Sequence, residues 1–293
     1  MKKRAFTLLE LLVVITIIGV LSSIVVVSMS GSTDSATIAK GKAYAQQVHA
    51  LLGHEAVLDF NFNENAQDTC PDGKDVCDAS GYNNNGTKYG AVYVSSPIDG
   101  YALYFDGVDD YINILDSSSL DIAWEITISA WVKPEQCNDH GTVATKNGSY
   151  YLQVHSDCTV AVYTYWNNNG SQGGSAYHYS NSALPLDDWS YIVFSENTSG
   201  VRKIYINGNL DGNFSAESSI FPRDDPLQIG KQGTVRPFKG LIDDVRIYSE
   251  ALSSVEIQNH YVQGLKKLLA GQVIIQSEYD QKIKEFNQYS ASI

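Results

Sequence analysis

One acid stands inside an otherwise apolar run near the start of the chain. Lys2, Lys3, Arg4 and Ala5 lead into Phe6, and from there to Val27 nearly every residue is Leu, Ile or Val, with Glu10 the single ionisable group. About 20 apolar residues suffice for a helix to cross hydrocarbon. A carboxylate in such a helix costs several kcal/mol unless something pairs with it. Cleavage after Ala5 would supply that partner. Phe6 would carry a new α-amino group one helical turn from Glu10, and the amine of one subunit would pair with Glu10 of its neighbour. Loss of either member would strand a charge, so the pair would set axial register in an assembly. A plain secretory signal is expected to be shorter in its apolar part, and a plain anchor does not account for the acid.

A second chemistry lies far downstream. Val160 to Trp166 and Ala176 to Tyr179 alternate so that Tyr163, Tyr165, Tyr177 and Tyr179 share faces of adjoining strands, with Trp166 and the amides of Asn167, Asn168, Asn169 and Gln172 beside them. Aromatic faces with nearby amides suit sugar rings, whose C–H faces meet the ring while hydroxyls find hydrogen bonds. Tyrosine is also a good strand former, so the same pattern fits an ordinary sheet surface. Catalytic patterns are missing from the chain. No Glu-x-Asp-x-x-Glu strand, Gly-x-Ser-x-Gly elbow or His-Glu-x-x-His helix occurs, and the six histidines, His140, His155, His178 and His260 among them, are scattered. The chain is therefore read as a non-enzyme.

Composition restricts the setting. The chain has 293 residues, 43% hydrophobic and 18% charged, with 19 Tyr and 23 Gly. That is the make-up of a folded, β-rich extracytoplasmic protein. The formal charge of −13 becomes −16 once Lys2, Lys3 and Arg4 are removed, which repels phosphate backbones and argues against nucleic acid as a partner of the head. Four cysteines, Cys70, Cys77, Cys137 and Cys158, lack metal-binding spacing and read as two disulfides in an exported chain. Proximity favours Cys70–Cys77 and Cys137–Cys158 over the two other pairings.

These groups need elements to hold them. Ala36 to Leu52 resumes a helical pattern that Gly53 ends. From Val57 the period changes to two, and short strands follow to Tyr248, separated by Asp106-Gly107, Asn147-Gly148, Ser199-Gly200 and Asn207-Gly208. Ser253 or Ser254 ahead of Glu256 reads as a helix cap, and two short helices hinged at Gly271 are expected to close the chain. The predicted fold class is mostly β: a long N-terminal α-helix, an antiparallel jelly-roll β-sandwich and a short C-terminal helical tail. Its boundaries are a leader at 1–5, an assembly helix at 6–53, a sandwich at 54–262 and a tail at 263–293.

The first segment resembles the type IV prepilin and secretion-pseudopilin family through Lys2-Lys3-Arg4-Ala5 followed by Phe6-Thr7-Leu8-Leu9-Glu10. The resemblance implies cleavage by a prepilin peptidase between Ala5 and Phe6, N-methylation of Phe6, storage in the bacterial inner membrane, and later assembly with other pilin-like subunits into a surface filament. Ala5 departs from the usual glycine, and Val27 stands where many major pilins have proline, which points toward a minor pilin or pseudopilin. A second resemblance, to the laminin-G-like, concanavalin A-like jelly rolls, rests on Ala102–Ile112, Ile126–Pro134, Trp189–Phe194, Ile204–Gly208 and Gly240–Tyr248. It implies a recognition head and a calcium cofactor held by Asp78, Asn85 and Asp243, whose hard oxygens suit that ion. Asp78 and Asn85 serve equally as turn residues, and Asp243 as a partner for an arginine. The expected function is a pilin-like subunit displaying a glycan- or surface-ligand-binding head. A purely structural filament subunit and a surface glycosidase are the alternatives.

Overall fold

The computed structural model describes residues 56–63, 70–96, 98, 100–174, 176–215 and 219–290. The expected N-terminal helix, with Ala5, Phe6 and Glu10, lies outside them. Among the described residues no helix is long and apolar enough to cross a membrane.

Two antiparallel sheets face each other. The first contains β1 (Leu58–Phe60), β3 (Val92–Ser95), β4 (Tyr101–Asp106), β6 (Ile126–Gln136), β13 (Ser190–Glu196), β14 (Val201–Ile206), β15 (Asn209–Ser215) and β17 (Lys239–Tyr248). Its order is β15-β14-β13-β6-β17-β4-β3, with β1 also on β17. The second contains β2 (Gly86–Tyr89), β5 (Tyr111–Ile114), β7 (Gly141–Lys146), β8 (Tyr150–Val154), β9 (Thr159–Thr164), β12 (His178–Ala183) and β16 (Leu227–Ile229). Its order is β12-β9-β8-β7-β16-β5-β2. A hairpin of β10 (Trp166–Asn168) and β11 (Ser171–Gly173) projects beyond β9.

Period-two alternation decides what each face receives. In β6, Ile126, Ile128, Ala130 and Val132 enter the core between the sheets, while Trp131 points the other way. In β8, Tyr150, Leu152 and Val154 are core and Tyr151 and Gln153 face outward. Burial of each large apolar side chain contributes about 1.5–3 kcal/mol. Arg202 and Lys146 are buried against carboxylates, and half-buried Arg246 pairs with half-buried Asp59. Arg202 Nε lies 3.0 Å from Glu196 Oε2, Lys146 Nζ lies 3.1 Å from Asp121 Oδ1, and Arg246 Nε lies 3.1 Å from Asp59 Oδ1.

Two helices follow, α1 (Ser254–Ala270) and α2 (Gln276–Ser290). Ser253 caps α1: its side chain accepts from Glu256 N, and the Glu256 side chain accepts from Ser253 N at 2.7 Å. The helix runs without interruption through Val262, so the expected boundary there falls inside one element. Gly271 ends α1, yet its φ is −76°; the left-handed residue of the turn is Gln272, at φ 59°. Ile257, Tyr261, Leu265 and Leu268 of α1 and Phe286 of α2 join Trp131, Tyr191, Val193 and Tyr205 in a second apolar cluster on the outer face of the first sheet. Gly264 permits this approach, because a Cβ there would meet the Trp131 ring at 2.2 Å.

Four strands, β2, β10, β11 and β15, were not expected from the sequence. β11 and β15 are rich in Gly, Asn, Ser and Asp, which have low strand propensity, while β2 (Gly-Thr-Lys-Tyr) and β10 (Trp-Asn-Asn) carry too little alternation to read; each pairs with an adjoining strand edge.

Candidate functional site

The outer face of the second sheet carries the tyrosines. Register places Thr145 opposite Tyr151 and Tyr151 opposite Tyr163, so these side chains form one row across β7, β8 and β9. The adjacent row runs Thr142, Gln153, Ala161, Tyr179 from β7 to β12. Ring centroids of Tyr151 and Tyr163 are 5.7 Å apart, those of Tyr163 and Tyr165 4.8 Å, and those of Tyr163 and Tyr177 4.8 Å. Tyr177 and Tyr179 stack at 6.0 Å. The structure thus brings together four of the five aromatic residues expected to share a surface, and adds Tyr151.

Trp166 does something different. Its indole lies where a Cβ on Gly173 would be, and its Nε1 donates to Gly174 O at 2.6 Å. The ring closes its own hairpin. Alternation along β9 did not reveal this, because the strand ends at Thr164 and Trp166 opens a new one.

Polar groups brace the tyrosines. Arg236 Nη1 donates to Tyr177 Oη at 2.7 Å and to Gln232 Oε1 at 3.0 Å, and its guanidinium lies 5.8 Å from the Tyr177 centroid. Tyr177 Oη donates to Gln153 Oε1 at 3.2 Å. Tyr151 Oη donates to Asn147 Oδ1 at 2.9 Å and accepts from Gly148 N at 2.6 Å. Gln172 Nε2 donates to Gly148 O at 3.1 Å, which ties the hairpin to the turn after β7. Burial raises the phenol pKa values of Tyr151, Tyr165, Tyr177 and Tyr179, so all four remain neutral donors in ordinary buffer. Stacking faces, amides and one guanidinium are therefore side by side.

Two histidines flank one end of the patch. His140 lies 4.4 Å from Tyr177 and 4.8 Å from His155, ring to ring, and His155 lies 5.1 Å from Tyr179. The Cys137–Cys158 disulfide, with Cα atoms 5.2 Å apart, joins the segments that carry them. Cys70–Cys77 forms as well, so both expected pairings are present. Burial lowers the His140 pKa; the hydrogen bond and charge of Asp139 oppose that, while Arg236 and His155 add to it. Asp157 is held down to about 2, first by the Thr159 hydroxyl, then by Thr159 N and His155.

His140, Gln153, His155, Gln232 and Arg236 had not been singled out as members of this surface. Strand alternation would have found Gln153 beside Tyr151. Nothing local signals Arg236, which reaches the patch from the loop between β16 and β17.

The residues proposed for calcium are arranged otherwise. Asp78 Oδ1 accepts from Asp59 N at 2.9 Å and Ser80 N at 3.0 Å, while Oδ2 accepts from Ser80 Oγ at 2.7 Å and Asn84 N at 2.9 Å. Asn85 Oδ1 accepts from Asp78 N at 2.8 Å. Both Asp78 oxygens are filled by donors, which makes this a self-satisfied turn and a poor fit to a cation cage. Asp243 is buried elsewhere, its Oδ2 accepting from the Ser96 hydroxyl. The arginine partner anticipated for it belongs to its neighbour: Arg246 Nη2 reaches Asp244 Oδ1 at 2.6 Å. Burial raises the Asp243 pKa well above the usual carboxylate value. Asp110, in the turn after β4, accepts from Asp106 N at 2.9 Å, a structural task.

This geometry is that of a lectin-type sandwich. Residues 105–258 match the concanavalin A-like lectin/glucanases superfamily in its laminin-G form, and the chain belongs to that family. Residues 1–26 match the prokaryotic N-terminal methylation motif, so a prepilin-type leader and a laminin-G-like head are fused in one chain. The motif places the chain in the context of prepilin peptidase, of membrane anchoring and then of a surface filament.

Among relatives, adhesion G-protein coupled receptor V1 of Danio rerio is 27% identical over 179 residues, which is 56% of this chain and 3% of that protein. The chain thus spans a small fraction of that relative. Domain 4 of AbnA, a GH43 extracellular arabinanase from Geobacillus stearothermophilus solved with arabinotriose, superposes with a TM-score of 0.55. It is 23% identical and covers 70% of this chain and 97% of that one. The binding domain of botulinum neurotoxin DC, solved in complex with SialylT, gives a TM-score of 0.54 at 16% identity, covering 72% and 52%. These likenesses show the fold.

Proposed function

We propose that the protein is a minor pilin or pseudopilin whose sandwich head binds glycan, without catalysing its cleavage, through the tyrosine surface of the second sheet. The observation that carries this is the set of half-buried Tyr163, Tyr165 and Tyr177 and exposed Tyr179 beside the buried Tyr151 on the outer face of the second sheet, braced by Arg236 and Gln153. Neutral phenols offer both a stacking face and a hydroxyl donor, the combination that a sugar ring needs. The methylation motif supplies the display. Phe6 and Glu10 fill their roles in the filament as the paired amine and carboxylate.

A glycan array probed with the soluble fragment beginning at His54 tests the reading. Binding to a defined set of glycans, lost on Tyr163→Ala with Tyr177→Ala, is the expected result. A head that binds none supports the purely structural subunit. Release of reducing sugar from any array member would revive the glycosidase. Glu10→Ala should insert in the membrane yet fail to enter filaments; normal incorporation would remove the pairing argument.

A further inference from the structure

We propose that Asp139, His140 and His155 form a binding site for a zinc-class divalent cation, an imidazole-preferring metal distinct from calcium. Ligand atoms of these three residues all lie within 4.8 Å of one another. Two ligands at about 2.1 Å from a tetrahedral ion stand about 3.4 Å apart, so closure requires shifts of the order of an ångström. Asp139 has a largely exposed side chain and His155 a half-buried one, which leaves both able to make them.

The contacts around the three residues have the form of a metal site's outer shell. His140 Nδ1 lies 2.6 Å from Asp139 Oδ1, so an imidazole proton now sits where the cation would bridge nitrogen and oxygen. Binding moves that proton, by way of solvent, to Nε2 and so keeps the imidazole neutral as a ligand. On the far side of the ring, Nε2 lies 3.3 Å from Tyr179 Oη, a partner able to accept its N–H once Nδ1 is occupied. His155 Nδ1 lies 3.0 Å from Asp157 Oδ1, which leaves its Nε2 with the free lone pair. Asp157 Oδ1 is itself fixed by Thr159 N at 3.0 Å and Thr159 Oγ1 at 2.6 Å. Ligating histidines characteristically give their second nitrogen to a carboxylate or another oxygen acceptor in this way.

The backbone is committed to the same arrangement. His140 has φ 55° and Cys158 φ 65°, both in the left-handed region that costs side-chain-bearing residues energy. The Cys137–Cys158 bridge holds the two segments together, and His140 is nearly buried between Tyr177 and His155. Two imidazoles and a carboxylate select zinc-like first-row ions over calcium, which prefers oxygen alone.

The test uses the full chain in detergent micelles, stripped with chelator and titrated with zinc chloride alone by calorimetry. One equivalent should bind, and excess calcium should not displace it. His155→Gln and His140→Gln should each weaken that equivalent at least tenfold, and Asp157→Asn should weaken it about tenfold through loss of orientation. Near-UV circular dichroism establishes folding of each variant, and should His140→Gln not fold, His155→Gln decides. No zinc uptake by the wild type, or uptake that His155→Gln leaves unchanged, overturns the site.

Discussion

The two sheets of this sandwich have outer faces of nearly equal aromatic content and opposite fates. On the first, Trp131, Tyr191, Tyr205 and Tyr248 are covered by α1 and α2 and all but excluded from water. On the second, Tyr163, Tyr165 and Tyr177 are half-buried and Tyr179 is 36% exposed, among Arg236, Gln153 and His140. The covered face packs its rings among apolar groups: Tyr261 of α1 stacks on Trp131 at 5.8 Å, and Ile257, Leu265 and Leu268 belong to the same cluster. The open face pairs its rings with hydrogen-bonding groups. Aromatic residues alone therefore do not mark a binding surface. What separates the two is whether the neighbours remove water or keep polar groups poised beside the ring.

Trp131→Ala tests that difference most severely. It empties the centre of the covered cluster and should cost about 3–5 kcal/mol in denaturant unfolding; a loss under about 1 kcal/mol would show that the helices do not depend on it. Tyr163→Ala with Tyr177→Ala should instead act on binding, weakening an array-positive glycan at least tenfold, or about 1.4 kcal/mol. Equal loss of stability and no loss of binding would make the open face structural too. Ser253→Ala removes the cap of α1 and should cost about 1 kcal/mol, readable in the same unfolding curves.

The smallest effect is a pair of opposed pH slopes, one from each face. His140 has its folded pKa below the unfolded 6.5, so its contribution is complete above pH 6.5 and is lost as pH falls through the folded value. Asp243, on the covered face opposite Trp131 in register, has its folded pKa raised above 3.8. Its contribution is complete below pH 3.8 and is lost as pH rises toward the folded value. His140→Gln should flatten the first slope and Asp243→Asn the second, measured as unfolding free energy between pH 4 and 8 at about unit intervals. A variant that leaves its own slope intact would assign that slope elsewhere.

Much of the sandwich was legible because alternation and turn chemistry are local. Tyr111–Ile114, Tyr150–Val154 and Leu227–Ile229 occur where the period of two placed them. Asn207-Gly208 forms a turn with both residues at positive φ, 52° and 77°, as a tight hairpin between twisted strands demands. Both disulfides followed from sequence proximity. β15 was not legible, since Asn-Leu-Asp-Gly-Asn-Phe-Ser becomes a strand only because β14 offers an unpaired edge.

For the site, the sequence by itself determined that Tyr163 and Tyr179 would sit on strands with compatible faces, because side-chain direction follows residue parity, and it carried the same parity to Tyr165 and Tyr177 one residue beyond the strand ends. It also carried the prepilin-type motif of residues 1–26, which depends on adjacency in the chain. Only the tertiary structure decided that α1 and α2 would cover one aromatic face and leave the other open. It alone brought Arg236 to Tyr177 across 59 residues and Gln232 to Gln153 across 79, and set His140 against Tyr179 across 39. Those meetings depend on sheet order and loop paths, which are set by which buried surfaces fit together and not by the pattern within any one segment.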